Sequence, residues 1–156
     1  MIEVNFDTTE LKKQLDKFAK DIQDQAIRSA AFAASKVIYE EMKIRVPVGK
    51  TGNLKTAIYQ FHHTGEVAGK HIYSIGPNKK KGKGSHWHLI EYGHWQTNVL
   101  FKLPNGEFRA SKKKLPVPVW VPAKPFIRPT YDAKITAAMQ AATTRLQEKI
   151  KEIIDA

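Results

Sequence analysis

Three histidines and one glutamate stand close together in the middle of the sequence: His86, His88, Glu91 and His94. Imidazole nitrogens and carboxylate oxygens are zinc ligands, so metal binding is the first chemistry that these residue types suggest. On a helix His86 and His88 would point about 200° apart, and on a strand Glu91 would leave the face that the two histidines share. No single element gathers three ligands. The sequence therefore predicts no metal and no cofactor, and partial burial or an interface explains the same residues.

Two other patterns suggest catalysis or nucleotide binding and fail on their spacing. Gly49, Lys50 and Thr51 have the residue types that end a phosphate-binding loop. Such a loop needs a glycine five positions earlier, where Ile44 stands, and it follows a strand rather than a helix. The chain has no cysteine, no serine in a nucleophile elbow and no carboxylate pair marked out for acid–base chemistry. The sequence predicts a protein that is not an enzyme.

Glu91 is the acid in an aromatic neighbourhood, since Trp87, Tyr92 and Trp95 stand close to it in sequence. A carboxylate in such surroundings is a candidate for a catalytic group with an altered pKa. The structural alternative is a carboxylate that pairs with a nearby cation, such as Arg128. We favour this alternative, because no second catalytic group accompanies Glu91.

Lysines cluster in two stretches of a strongly basic chain. There are 26 Lys and Arg against 15 Asp and Glu, a formal net charge of +11. Such an excess attracts polyanions or acidic protein surfaces without choosing between them, and it is also compatible with a simple solvated surface. With aromatic residues between them, the two stretches could bind a nucleic-acid backbone by counterion release and stack exposed bases. The candidate contacts are Lys79, Lys80, Lys81, Lys83, Lys112, Lys113 and Lys114.

The elements that must position these residues are predicted from length and periodicity. A chain of 156 residues, 42% of them hydrophobic, fits one domain (1–156) that can bury a core. Apolar residues at helical spacing predict a long helix over 9–45, for which Asp7, Thr8 and Thr9 offer caps, and another over 130–154, capped by Thr130. Residues 30–34, four alanines and Phe32, are apolar and mostly small, which favours close packing on a sheet or on a neighbouring subunit. Pro47 ends the first helix.

Strand and turn patterns fill the region between the two helices, 54–122. Asn105-Gly106 between apolar runs predicts a hairpin, and prolines restrict 117–121 to an edge strand. The predicted strands are 2–6, 54–62 (which also fits a helical turn), 70–76, 98–103 and 107–110. A basic loop over 77–84 and a two-turn helix over 86–92, capped by Ser85 and ended by Gly93, lie among them. The fold class is therefore α+β, with two principal helices on a small, mostly antiparallel sheet.

The cellular setting is predicted from what the sequence lacks. No apolar run approaches the roughly 18 residues that a membrane-spanning helix needs, and the first residues do not resemble a signal peptide. We expect no membrane contact, and synthesis and folding in a cytoplasm.

Three short motifs occur in order along most of the chain. They are Pro47-Val48-Gly49-Lys50-Thr51-Gly52-Asn53-Leu54, His88-Leu89-Ile90-Glu91-Tyr92-Gly93 and Pro122-Ala123-Lys124-Pro125-Phe126-Ile127-Arg128-Pro129. Their order and spacing resemble the head–tail joining and tail-completion proteins of tailed double-stranded DNA bacteriophages. Lys50 and His94 depart from that family, which often has an acidic residue and a threonine at these places.

The resemblance implies a non-enzymatic virion protein of the phage neck, made in the bacterial host cytoplasm, that completes the tail and joins it to the head. It implies a ring of identical copies, with six as the number it suggests, in contact with connector and tail proteins. The motif positions that it places at interfaces are Thr51, Gly52, Leu54, Glu91, Tyr92, Gly93, Pro125, Phe126, Arg128 and Pro129.

A ring needs heterologous contacts, in which one patch meets a different patch on the next copy. We hypothesise that the Ala-rich helix face and a loop from Trp95 to Phe101 supply these patches. The basic loops would then face DNA or an acidic neighbouring ring. The alternative function is that of a basic DNA-binding accessory protein.

Overall fold

The computed structural model describes residues 8–49, 52–63, 70–78, 84–104, 106 and 108–155, without the side chain of Gln23. Helices stand at both ends of this part of the chain, and two small antiparallel sheets come between them in sequence. This confirms the predicted α+β class. The elements are α1 (Thr9–Asp21), a π-helical turn (Ile22–Ala26), α2 (Ile27–Arg45), α3 (Asn53–Ala57), β1 (Ile58–His63), β2 (Ile72–Pro77), α4 (Trp87–Tyr92), β3 (His94–Lys102), β4 (Phe108–Val121) and α5 (Ile127–Ile154). The predicted strand at 2–6 lies outside the described residues.

The predicted helix over 9–45 is helical throughout, but a π-helical turn divides it. Ile27 donates its main-chain N–H to the carbonyl of Ile22, five residues back. The wider turn shifts the apolar stripe and places Ala26, which is fully buried, where the turn contacts α5. No residue of α1 is buried. The helix ends at Arg45, because Pro47 follows and Val46 takes an extended conformation.

Helices α2 and α5 pack against each other in antiparallel directions. The guanidinium of Arg145 donates to the Ser29 hydroxyl at 2.9 Å near one end of the pair. Lys134 lies 3.5 Å from Glu41 near the other end. The two helices form one layer of the molecule, and the β1–β2 sheet packs on α2. No described helix has the length and apolar character needed to cross a membrane.

The hydrophobic core lies where α2 ends, α3 and β1 begin, and α5 starts. Its buried members are Met42, Val46, Leu54, Ile58 and Phe126. Phe126 has no exposed surface. The segment predicted as a strand over 54–62 begins as helix α3 and continues as β1, so both interpretations of its pattern apply, one after the other. The short helix turns Leu54 and Ala57 into the core, since residues three apart share a helix face.

Strands β3 and β4 form a long hairpin, which we call the ribbon (residues 94–121). The predicted turn is confirmed, since Gly106 has a φ of 84° and donates its N–H to the carbonyl of Leu103 at 2.9 Å. The stretch predicted as an edge strand is the end of β4. Pairing passes from Gln96↔Val119 to Asn98↔Lys114, so Thr97 lies opposite four residues of β4. Pro116 and Pro118 lie in this bulge, where no ladder hydrogen bond is required of them.

Two predicted helix caps are wrong. Helix α5 begins at Ile127, not at Thr130, and Thr130 is buried in its first turn with its hydroxyl donating to the Phe126 carbonyl at 2.5 Å. Helix α4 has His86, not Ser85, in the N-cap position. Helix α1 has Thr8, one of its three candidate caps, in the N-cap position, but without a side-chain cap hydrogen bond. The early start of α5 follows from a carboxylate that lies outside the helix.

Candidate interaction surfaces

The carboxylate that sets the start of α5 belongs to Glu91, near the end of α4. Its Oε2 accepts the main-chain N–H of Phe126 at 2.8 Å and of Ile127 at 3.1 Å, and its Oε1 accepts that of Arg128 at 3.2 Å. The first N–H groups of a helix have no partner within the helix, and its N-terminus favours negative charge. Glu91, 6% exposed, therefore caps α5 from a distant part of the chain.

The prediction that a side-chain cation such as Arg128 pairs with Glu91 is therefore wrong, because the partners are main-chain N–H groups. Arg128 supplies its main-chain N–H, while its side chain is 88% exposed and its guanidinium lies 3.9 Å from Asp132. A side-chain cation was expected because an acid in apolar surroundings needs compensation. Three main-chain N–H groups at a helix start supply that compensation here, so the carboxylate has a structural role.

Gly93 is the hinge between the Glu91 cap and the ribbon. It ends α4, as predicted, with φ 73° and ψ 169°. A Cβ at this position would lie 2.9 Å from each of the Ala123 nitrogen, Val121 oxygen and Trp120 Cζ2 atoms. Beside it, the Lys124 N–H donates to the Ile90 carbonyl at 2.7 Å. The base of the ribbon is therefore fixed against the residues that lead into α5.

The motif positions that the resemblance implies for interfaces differ in how much surface they expose. Leu54, Glu91 and Phe126 are buried and hold the fold. Tyr92, which is 70% exposed, Pro125 and Arg128 offer surface to a partner. Gly52 and Pro129 are half-buried, Gly93 is the hinge, and Thr51 lies outside the described residues. Since buried side chains contribute no surface, an interface could use only the exposed members directly.

An apolar groove runs between α2, β2 and α5 and encloses about 430 Å³. Its floor includes Ser35, whose hydroxyl donates to the Phe32 carbonyl at 2.8 Å and accepts a hydrogen bond from Gln60. With that polar group satisfied, the groove presents hydrocarbon and the rings of Tyr73 and Tyr131. Residues that line it include Ala31, Ala34, Ile38, Tyr73, Ile135 and Met139. Part of the Ala-rich helix face is thus open to a partner, while Ala30 is buried.

The ribbon carries large apolar side chains at its base. Trp95 and Trp120, opposite each other in register, have ring centroids 5.3 Å apart. They are 62% and 48% exposed, and Val117 and Val119 beside them are 72% and 54% exposed. We call these four residues the ribbon base. Exposed apolar clusters of this kind mark sites of protein–protein contact.

The outer half of the ribbon is basic, both at its tip (residues 101–104, 106, 108 and 109) and in the lysine triplet beside the tip. Lys112, Lys113 and Lys114, predicted as candidate contacts, are exposed on β4, as is Arg109, and Lys102 is exposed at the end of β3. The other predicted contacts, Lys79, Lys80, Lys81 and Lys83, lie outside the described residues. Lys102 and Arg109 were not among the predicted contacts, although the Asn-Gly turn signal placed both on the same hairpin.

The central histidines do not converge. His94 Nδ1 lies 3.3 Å from the Leu89 carbonyl oxygen, and the His88 ring contacts Trp87 edge-on. Among the side chains that the structure describes, no group of three or more His, Asp or Glu residues could hold a metal ion.

A different histidine pair lies on the β1–β2 sheet. His62 Nε2 is 3.4 Å from His71 Nδ1, and its ring stacks on Tyr73 with centroids 4.7 Å apart. Burial lowers the pKa of His62 below its usual value of 6.5, and the charges of Arg28, His71 and His63 lower it further. The folded state therefore favours the neutral imidazole.

We expect acid to destabilise the sheet through His62. Because its pKa is lower in the folded state than in the unfolded state, its contribution to stability is complete above about pH 6.5 and is lost as the pH falls below it. The free energy of unfolding, measured by urea titration at several pH values, should decrease between about pH 7 and pH 5. His62→Gln should reduce that decrease, whereas His88→Gln, an exposed histidine away from the pair, should not. An equal decrease in His62→Gln and the wild type would contradict this assignment.

Comparison with known proteins identifies the family. The family model for bacteriophage HK97-gp10, described as a tail component, matches residues 9–93, more than half of the chain. The match runs from the start of α1 to Gly93 and includes the first two motifs. No curated protein and no solved structure matches the chain in the corresponding comparisons. The resemblance to phage head–tail joining and tail-completion proteins is confirmed at the level of the family: the chain belongs to the HK97-gp10-like family of bacteriophage tail components.

Proposed function

We propose that the protein is a structural component of the phage neck, which completes the tail and joins it to the head as a ring of identical copies. Membership of a tail-component family supports a virion role and a structural, non-enzymatic function. The observation that carries the proposal is the presence of two unlike apolar surfaces on one body, the ribbon base and the groove. A ring requires two such different patches, one meeting the other on the next copy.

In the proposed contact, the ribbon base of one copy lies in the groove of the next. Tryptophan buries a large apolar area and is enriched at the centres of interfaces. The groove offers about 430 Å³ between small side chains such as Ala31 and Ala34, where a large ring can approach closely. The Gly93 hinge and the Glu91 cap fix the direction of the ribbon relative to its own groove. A fixed angle between the two patches is what allows a chain of copies to close.

The exposed motif positions supply contacts with other neck proteins in this proposal. Three of these positions are exposed and close to the ribbon base in sequence: Tyr92, Pro125 and Arg128. Each of them belongs to the Glu91 cap or adjoins one of its residues. Aromatic and arginine side chains are the types most often found at the energetic centres of interfaces. We therefore place the connector or tail partner on this side of the molecule.

Removing the ribbon base is expected to abolish ring formation. The double variant Trp95→Ala/Trp120→Ala should weaken association by at least about 2 kcal/mol per contact, or about 30-fold, because two central rings are lost. Met139→Glu, which places a charge at the groove where Met139 is 60% exposed, should have a similar effect. Light scattering of the purified proteins measures the mass. Ile44→Ala is the control, since Ile44 is 76% exposed and lines neither surface.

Mixing the two variants provides a sharper test. The tryptophan variant keeps a good groove and the Met139→Glu variant keeps a good ribbon base, so together they can form one productive contact. We expect a heterodimer that grows no further, although each variant alone stays monomeric. If the wild type forms rings but the mixture remains monomeric, the interface does not consist of the ribbon base and the groove. A wild type that stays monomeric at high concentration with its neck partners present would contradict the ring itself.

The second candidate function is that of a basic DNA-binding accessory protein, and the formal net charge of +11 favours it. It predicts a steep loss of duplex binding with salt that disappears when the lysines of 79–83 are neutralised. Ring formation without appreciable affinity for DNA would favour the neck protein instead.

A further inference from the structure

We propose that the tip of the ribbon is a binding site for duplex DNA, built to enter a groove of the double helix. This goes beyond the structural role proposed above and does not depend on ring assembly. The ribbon is a two-stranded antiparallel element, and the major groove of B-DNA, about 12 Å wide, admits such an element. Charge, placement on two faces and the local geometry of β4 support the assignment.

The charge of the ribbon has one sign among its described residues. Five cations are exposed, and residues 94–104, 106 and 108–121 contain no Asp or Glu. Glu107 is the one acid in this stretch of the sequence. Within the described part of the chain, none of the five cations forms an ion pair, whereas lysines on α1 and α2 pair with neighbouring glutamates. A cluster of cations without acidic partners complements a polyanion. The five cations are Lys102, Arg109, Lys112, Lys113 and Lys114.

The cations near the turn point to a groove rather than to a flat surface. Lys102 pairs with Phe108 in the ladder, and Arg109 pairs with Phe101 on the next rung. Successive rungs of an antiparallel ladder face opposite sides, so each face of the tip carries one cation and one phenylalanine. A DNA groove has two walls of phosphates, which two charged faces match. A flat acidic protein surface would meet one face and leave the other unused.

The lysine triplet is held in place by a second bulge. Pairing passes from Asn98↔Lys114 to Leu100↔Ala110, so Val99 lies opposite three residues of β4. The Asn98 amide donates to the Ser111 carbonyl at 2.8 Å, and the Lys113 N–H donates to the Ser111 hydroxyl at 3.1 Å. These side-chain bonds fix the bulge and gather three successive lysines on a short segment beside the tip. Phosphates contacted by such a cluster would release their counterions.

The phenylalanines give the tip a second means of contact. Phe101 is 46% exposed and Phe108 is 53% exposed. Apolar side chains at the end of a DNA-binding element can insert between base steps or contact thymine methyl groups. Insertion requires no defined base sequence, and the methyl contact adds only a preference for thymine. The proposed ligand is therefore duplex DNA of any sequence, bound chiefly through its phosphates.

The test compares two variants of the full chain that each lose three exposed lysines. Lys112→Gln/Lys113→Gln/Lys114→Gln removes the ribbon triplet, and Lys12→Gln/Lys17→Gln/Lys20→Gln removes three lysines of α1. Both lower the formal net charge of +11 by three. Binding of a fluorescein-labelled random duplex is measured by anisotropy across a salt series. We expect at least about tenfold weaker binding for the ribbon variant, with a slope of log affinity against log salt smaller by about 2.7. Equal losses in the two variants would overturn the proposal.

Single substitutions test the two faces. Lys102→Gln and Arg109→Gln should weaken duplex binding by similar factors, since each faces one wall of the groove. A loss of affinity in only one of these variants would overturn the proposal that the tip enters a groove of the DNA. Poly-L-glutamate is the competitor that represents an acidic protein surface, and duplex DNA should displace the bound probe at a lower concentration of charge. Equal competition by the two polymers would assign the ribbon to an acidic protein and overturn the DNA site.

The oligomeric state is measured on the same samples. Because a ring binds DNA through several ribbons at once, the lysine comparison is repeated in the Met139→Glu background, which is expected to be monomeric. Weaker binding of the ribbon variant than of the α1 variant in that background supports the DNA site. No difference there overturns it, and light scattering of the wild type reports separately whether the ring forms.

Discussion

Glu91→Ala is expected to lower the free energy of unfolding by about 3 to 5 kcal/mol, measured by urea denaturation. The substitution removes three charge-assisted hydrogen bonds and leaves the N–H groups of Phe126, Ile127 and Arg128 without their acceptor at a buried helix start. It also opens a cavity beside the fully buried Phe126. Such a loss is a large part of the total stability of a typical domain.

Two other variants show whether the charge and the burial matter. Glu91→Gln keeps the shape but turns an NH₂ group towards main-chain donors, so it should lose about half as much as the alanine variant, about 2 kcal/mol. Glu40→Ala, an exposed glutamate whose carboxylate lies 3.9 Å from Lys36, should change stability by less than about 0.5 kcal/mol. A loss below about 1 kcal/mol in Glu91→Ala would show that α5 does not need this cap.

Gly93→Ala is expected to cost about 3 to 5 kcal/mol and to disturb the direction of the ribbon. The φ and ψ values of 73° and 169° lie in a region that is essentially restricted to glycine. The new methyl group would lie 2.9 Å from the main-chain oxygen of Val121, the last residue of β4, and from the main-chain nitrogen of Ala123 just after it, and main-chain atoms cannot move aside as the end of a flexible side chain could. Thermal or urea unfolding measures the first effect. The fluorescence of Trp95 and Trp120 reports the second.

Gly52→Ala is the matched control for this prediction. Gly52 also has a positive φ, 63°, but its ψ of 5° belongs to the ordinary left-handed region, and no atom lies within 4 Å of the place where a Cβ would stand. We expect a cost of about 1 kcal/mol there. Similar costs at the two glycines would show that the close approach at Gly93 has no energetic consequence.

Local patterns were enough to predict most elements. Pro47 marked the end of the first helix, Asn105-Gly106 marked the hairpin, and Gly93 marked the end of the short helix, because each depends on the geometry of neighbouring residues alone. The same patterns placed the start of α5 too late. Thr130 has a common capping side chain, but the actual cap, Glu91, is 35 residues from Phe126 in sequence. No local pattern contains that contact.

The surfaces were harder to predict than the elements. The Ala-rich stretch indicated close packing, yet it did not show that α5 would cover Ala30 while leaving Ala31 and Ala34 beside a groove. The length of the ribbon also exceeded the prediction, because the prolines near its base suggested a separate short strand. A bulge that accommodates Pro116 and Pro118 depends on how the two strands pair, and pairing is a long-range property.

That bulge has a consequence for how copies of the protein avoid one another before assembly. A sheet of two strands has two open edges, and a long open edge invites a strand from another molecule and so leads to fibrous aggregates. Along the outer edge of β4, prolines supply no donors, lysines repel a second copy, and two irregularities interrupt the flat pleat that a fibril needs. These features should therefore keep copies of the protein from pairing edge to edge through their ribbons.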